Sequence, residues 1–332
     1  MCSRGVLCLL LLTGLTGGEA AVSPLGSYGA DPDQVSVSGL SSGAYMTVQM
    51  QVAHSKTFMG AGVVAGGPYF CAQNLATKAV GECMESPGKI NVGYLQQVTR
   101  NTAATLTIDP VSNMYNHRVY LFSGTHDTVV VQGVMEKLQE YYTDFVNSAN
   151  VKTQFSLAAG HAFITDDYGN ACSANADPYI SDCNSNEAYN ILNHIYGGNL
   201  LKPNAFASQT GTLYEFDQTD FVNAGLNSMD TSGYIYVPGG CNRANSNCKV
   251  HVVFHGCLQG KESVGDEVPT YTGYNEVADL NDIIVIYPQA VTKAMGNPNG
   301  CWDWWGYTGS DYASKLGNQI KAVKGMVDRV LA

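Results

Sequence analysis

Charge is what this sequence has little of. Only 14 % of its 332 residues are charged, against roughly 25 % in an average globular chain. Acidic side chains number 28 and basic ones 17, a formal net charge of −11. With no Lys/Arg run, nucleic acid is excluded as the main partner. Beyond residue 20 no stretch reaches about 18 consecutive apolar residues, so no membrane span is expected. No Cys-x-x-Cys pair or Cys/His cluster is present, which makes a metal site the weaker reading of the cysteines. No Asn-x-Ser/Thr sequon occurs, so N-glycosylation is not expected. Internal repeats and low-complexity linkers are also missing, which favours one domain.

What is present is apolar and small. Hydrophobic residues make up 45 %, with 36 Gly, 20 Tyr and 10 Cys. Such a chain is not intrinsically disordered, and its length suffices for a sizeable core. Residues 1–20 read as a secretory signal peptide: Arg4, then a leucine-rich run from Leu7 to Leu15, then Gly18-Glu19-Ala20 as a cleavage site. Cleavage there removes Cys2 and Cys8. Eight cysteines remain: Cys71, Cys83, Cys172, Cys183, Cys241, Cys248, Cys257 and Cys301. An even count in an exported chain reads as four disulfides. Sequence alone does not choose the connectivity, and nearest-neighbour pairing is the simplest.

Strand and helix patterns alternate. Short strands are expected at 34–39, 60–64, 118–123, 153–157, 234–237, 249–254 and 282–287. Helices are expected at 42–54, 131–147 and 186–196, and from Tyr312 to the end. This alternation predicts an α/β fold with a mostly parallel central sheet flanked by helices. Residues 164–230, rich in Asn, Ser, Asp and Tyr, read as a loop-rich insertion in a domain spanning 21–332.

Gly39-Leu40-Ser41-Ser42-Gly43 fits Gly-x-Ser-x-Gly between a predicted strand and a predicted helix. The glycines allow a tight turn that projects the Ser41 hydroxyl, and the helix N-terminus places N–H groups beside it. A nucleophilic serine needs a base and a group to orient that base. Asp127 follows a predicted strand and is the natural acid. Asp109, before a proline, and Asp144, on a helix, are poorer candidates. The base is expected to be His161, also after a strand. His126 is its rival, although side chains adjacent on a loop usually diverge. His54, His117, His194 and His251 lie in or beside predicted elements with no acid or nucleophile near them. An oxyanion hole needs two N–H donors. One is expected from Ser42 and the other from the His255-Gly256 loop after strand 249–254. That loop comes 214 residues after the serine (255 − 41), the reverse of the usual order. Joining the chain ends restores the order, so the sequence looks like a circularly permuted α/β hydrolase. All three tryptophans, Trp302, Trp304 and Trp305, fall within four residues. All three are candidate substrate-binding residues, and if the segment is extended, Trp302 and Trp304 face one side.

The blocks VSVSGLSSG (35–43), GGPY (66–69), DPYISDC (177–183), GYIYVP (233–238), HGCLQ (255–259), IYPQA (286–290) and NPNGCWDW (297–304) closely resemble fungal-type extracellular poly(3-hydroxybutyrate) depolymerases. The resemblance covers nearly the whole chain after residue 20. It implies a secreted, single-domain, circularly permuted α/β-hydrolase esterase that needs no cofactor. Ser41, Asp127 and His161 would form its triad, and Ser42 and Cys257 would supply the oxyanion amides. Trp304 would touch the polyester. The chain departs from the fungal pattern in a short segment at 291–296 and in Trp305-Gly306-Tyr307 after CWDW. The expected partner is a polyester or oligoester of 3-hydroxy acids, met by a monomer. Two alternatives are a secreted esterase for feruloyl or short-chain lipid esters, and a non-catalytic binding protein on the same fold.

Overall fold

The structure is a computed structural model describing residues 22–204, 209–222, 227–243 and 245–332. The expected signal segment at 1–20, with Cys2 and Cys8, lies outside the described residues.

Runs of β-branched and aromatic residues set the central strands. β2 (Val35–Leu40), β3 (Phe58–Val64), β4 (Arg118–Phe122), β11 (Lys249–Phe254) and β12 (Ile283–Tyr287) are buried almost throughout. Strands covered on both faces need such sequences. They join β1 (Ser23–Pro24), β5 (Val151–Gln154), β9 (Thr212–Asp217) and β10 (Ser232–Val237) in one sheet, ordered β1-β9-β10-β12-β11-β2-β3-β4-β5. From β12 to β5 every pairing is parallel, while β10 runs antiparallel to both β9 and β12.

Helices lie on both faces. Ser36 and Ser38 bond to His251 of β11, and to Tyr196 and Tyr274 at the ends of α2 (Glu187–Ile195) and α3 (Tyr274–Asn281). Gly39, on the opposite face by strand alternation, meets α1 (Ser42–Ala53). Counted from β9, the sheet order is 1-2-4-3-5-6-7-8, with the first six-residue strand of the N-terminal region, β2, as the fifth. This is the α/β-hydrolase order cut and rejoined. The Tyr28 and Gly29 N–H groups donate to the Val330 and Ala332 carbonyls (both 3.2 Å), so the segments flanking the join are neighbours.

Several boundaries differ from the sequence reading. The terminal helix begins at Asn318, not Tyr312, because 306–317 winds through turns in which Gly306 and Gly309 take positive φ. The expected 131–147 helix is shorter, Gln132–Tyr142. A helix at Val92–Ala104 was not read at all, since only Val92, Leu95 and Thr99 are buried and its apolar stripe is thin. The 164–230 segment is not wholly an insertion. It contributes β9 to the main sheet and α2 to one of its faces. The rest centres on a three-stranded sheet of β6 (Phe163–Thr165), β7 (Asn170–Ala171) and β8 (Ile180–Asp182), in the order β6-β8-β7. Residues 205–208 and 223–226 of that segment lie outside the described residues. The disulfides join Cys71–Cys83, Cys172–Cys183, Cys241–Cys248 and Cys257–Cys301, so the eight cysteines pair consecutively along the chain.

Candidate active site

Ser41 stands between β2 and α1 at φ 57°, ψ −122°. A non-glycine residue in this region carries strain of order 1–3 kcal/mol, held by its surroundings. The surroundings are tight. A Cβ on Gly43 would lie 2.4 Å from the Phe254 and His255 carbonyls, and one on Gly39 would lie 2.5 Å from the Gly43 carbonyl. Only glycine lets α1 sit this close to β2 and to the end of β11. The Ser41 N–H donates to the Val64 carbonyl (3.0 Å), which fixes the turn to the next strand.

The acid and base arrive on loops after β4 and β5. Asp127 Oδ2 accepts from His161 Nδ1 at 2.8 Å, and both side chains are almost fully buried. Asp127 Oδ1 accepts the Val129 and Val130 N–H groups (2.8 and 2.9 Å), which sets the carboxylate's orientation. With Nδ1 engaged, Nε2 is the ring nitrogen left for Ser41, which lines the same cavity. The two loops press together, and a Cβ on Gly124 would fall 2.1 Å from the Ala159 carbonyl. Asn175 ties them. Its Oδ1 accepts the His161 N–H (2.7 Å), and its Nδ2 donates to the His126 carbonyl (3.2 Å). The rival base His126 is exposed and does not line the cavity, while Asp127 beside it is buried.

The other acids and histidines are engaged elsewhere. Asp109 pairs with Lys315 and Asp144 with Arg100. His251 bonds to Ser36 and Ser38 (both 2.7 Å), His117 to Gln51 (3.2 Å) and His194 to the Asn150 carbonyl (2.8 Å). His54 sits at the C-terminal end of α1.

Ser42 opens α1, and its amide is one of the helix's first unsatisfied donors. Across from it runs the loop 255–259. Among the described residues, neither the Ser42 nor the Cys257 amide is bonded to an acceptor. The Cys257–Cys301 disulfide joins this loop to the aromatic segment 302–305. The Trp302 N–H in turn donates to Ser42 Oγ (3.3 Å).

A cavity of about 380 Å³ opens over Ser41 and His161. Tyr45, Met84, Val130, Tyr179, Trp304 and Trp305 give it a largely apolar wall. Trp304 stacks on Tyr45 (4.0 Å, 11° between planes) and meets Trp305 edge-on (5.6 Å). The expectation for Trp302 is corrected: it is 0 % exposed and packs against Phe254 and His255, away from the cavity. The segment is not a strand, so strand alternation does not govern which way its side chains face. Asp303 holds the turn instead. It is buried and accepts the N–H groups of Trp305, Gly306, Tyr307 and Thr308 and the Thr308 hydroxyl. Burial pushes its carboxyl up, and these hydrogen bonds oppose that.

The structure therefore brings Ser41, His161, Cys257, Trp304 and Trp305 to one cavity, with Asp127 behind His161 and Ser42 beside Ser41. The sequence reading missed Tyr45, Asn175, Tyr179 and Asp303. Tyr45 was findable, since it lies one helical turn after the nucleophile.

No family model matches the chain. It is 48 % identical to a poly(3-hydroxybutyrate) depolymerase of Delftia acidovorans over 97 % of its own length, and it spans 64 % of that relative. It is 38 % identical to a polyhydroxybutyrate depolymerase of Talaromyces funiculosus, covering 97 % of this chain and 96 % of the relative. The solved PHB depolymerase of Penicillium funiculosum superposes with a TM-score of 0.87 at 37 % identity, over 93 % of this chain and 99 % of that one. A serine-to-alanine PHB depolymerase variant complexed with an R3HB trimer superposes equally well, at 38 % identity.

Proposed function

The chain belongs to the polyhydroxybutyrate depolymerase family, and on that premise we propose that it is a serine esterase cleaving poly(3-hydroxybutyrate) or related 3-hydroxyalkanoate polyesters and oligomers. The observation that carries this is the Asp127–His161 pair, 2.8 Å apart, on the cavity that also holds the strained Ser41. In this reading neutral His161 takes the Ser41 proton through Nε2 as Oγ attacks the ester carbonyl. Asp127 keeps the Nδ1–H tautomer and stabilises the imidazolium. The Ser42 and Cys257 amides stabilise the tetrahedral oxyanion. His161 then protonates the departing hydroxyl end, and water hydrolyses the acyl-enzyme by the same route. No step calls for a cofactor.

Substrate class is supported by the apolar cavity and by the trimer complex of the similar structure. Leu75, Val80, Leu258 and Met295, 39–88 % exposed, line the cavity mouth or adjoin its lining. An insoluble polyester would rest on such a rim. Four disulfides suit an exported enzyme, read here as one catalytic domain from 21 to 332, acting as a monomer. Among the described residues no helix is long and apolar enough to cross a membrane. The test is release of 3-hydroxybutyrate oligomers from the polymer, beside feruloyl and short-chain lipid esters, by wild type and Ser41→Ala. Faster turnover of another ester class would overturn the substrate assignment, and an active Ser41→Ala would overturn the mechanism.

A further inference from the structure

We propose that His255 is the positioning residue of the oxyanion hole: its side chain fixes the direction in which the Cys257 amide points. The inference rests on the reading above, in which that amide meets the oxyanion.

His255 is 1 % exposed and makes two hydrogen bonds that can be formed in only one way. The Ala290 backbone N–H lies 3.0 Å from Nε2, so Nε2 is the acceptor. Nδ1 therefore carries the proton and donates it to the Gly256 carbonyl at 2.7 Å. Burial holds the ring's pKa down at about 4, in keeping with a neutral ring. The Gly256–Cys257 peptide is trans, since the only cis bond among the described residues is Asp177–Pro178. In a trans peptide the C=O and N–H point in opposite directions. The Gly256 carbonyl accepts the short His255 bond and a longer one from the Gln259 N–H (3.3 Å), so the Cys257 N–H is turned to the other side. There Gly256 approaches Ser41, whose Cβ would be 3.4 Å from a Cβ on residue 256. The Cys257 amide is bonded to no acceptor among the described residues, as a donor awaiting a ligand should be.

The next peptide back is pinned as well. The Gly256 N–H donates to Gln259 Oε1 (2.7 Å), and Gln259 Nε2 donates to the Pro178 and Tyr179 carbonyls (2.7 and 3.1 Å). A flip of the Gly256–Cys257 peptide would break the His255 bond, together with the longer Gln259 N–H bond to the same carbonyl, and replace the Cys257 donor with a carbonyl oxygen. The HGCLQ and YPQA blocks thus act together. Ala290 fixes the His255 tautomer, and His255 fixes the peptide.

The test uses soluble 3-hydroxybutyrate oligomers with His255→Asn, His255→Gln and His255→Ala. An Asn amide can donate from near the Nδ1 position, whereas a Gln amide reaches the Nε2 position and cannot. Loss of one oxyanion donor costs on the order of 10²–10³ in kcat. His255→Gln and His255→Ala should show a loss of that order with KM within about twofold of wild type. His255→Asn should recover most of the rate. Affinity for a trifluoromethyl ketone, which mimics the tetrahedral state, should fall in parallel with kcat/KM. A His255→Gln variant that melts like wild type and turns over at its rate would overturn the proposal. So would variants that lose stability and rate while keeping ketone affinity. Should the variants fail to fold, ¹⁵N NMR of wild-type histidines at pH 7 decides, with Nδ1–H at His255 expected and Nε2–H overturning it. An inactive wild type would instead refute the esterase reading.

Discussion

Asp127 and His161 can be separated experimentally from the scaffold that holds them. An Asn at 127 still offers an oxygen to the Val129 and Val130 amides but can present the wrong partner to His161 Nδ1. Asp127→Asn should therefore melt near wild type yet lose about 10⁴ in kcat, as such substitutions do in triad enzymes. Ester hydrolysis and a thermal melt check both halves. The tryptophans give a second contrast. Trp302 is core, so Trp302→Ala should cost about 3–5 kcal/mol of stability. Trp305 is half-exposed on the cavity wall, so Trp305→Ala should mainly raise KM for oligomers and move the melt little. Paired melts and KM values decide. Equal stability losses would contradict the division of roles. Residues at strand ends were legible in the sequence because Ser41, Asp127 and His161 each follow a strand. Trp302 was not, because its direction depends on Phe254 and His255, which are distant in sequence. Asn175 and Asp303 were hidden for the same reason: their partners are backbone N–H groups and carbonyls that only the folded turns bring within reach.

At the level of elements, the site is a junction of β2, α1 and β11, with the loops after β4 and β5 closing it. The small side chains of the elbow serve this junction, and the disulfide between Cys257 and Cys301, both on the cavity wall, braces it. The bridge closes 44 residues of sequence separation. Chain entropy for a loop of this size is worth about 4 kcal/mol. Cys301→Ser should lower stability by a similar amount and reduce kcat as the oxyanion loop loosens, read by denaturant melts and oligomer hydrolysis. Non-reducing peptide mapping should recover the 257–301 linkage, and a free Cys257 thiol would contradict it. Element types were largely readable from hydrophobic runs. Boundaries drifted where the ends are set by packing, as at β5, whose exposed Lys152 and Thr153 mark an edge strand. The Val92–Ala104 helix escaped because burial of three residues leaves little periodic signal.

For the whole molecule, the permuted order was inferred from the position of one His-Gly loop. The sheet carries it, with β11 between β12 and β2 and the flanks of the join in contact. The buried histidines make a further global property. Burial lowers His251 to about 3, and His117 and His255 to about 4. In the unfolded chain each titrates near the ordinary value of about 6.5. Between those values the unfolded state binds more protons, so stability rises with pH. The contribution is fully present above about 6.5 and is lost as pH falls toward 4. Each such histidine adds a slope approaching about 1.4 kcal/mol per pH unit. Melting temperature should therefore drop from pH 7 to pH 5, and His117→Gln should flatten the drop. A profile unchanged by that substitution would contradict the assignment.

Covalent labelling tests Ser41 as the nucleophile directly. Wild type is titrated with a fluorophosphonate, the modified peptide is mapped by mass spectrometry, and release of 3-hydroxybutyrate from the polymer is followed in the same samples. One label per chain, on Ser41, is expected, with hydrolysis falling in proportion to labelling. A label on another residue, or a fully labelled enzyme that still depolymerises, would contradict it.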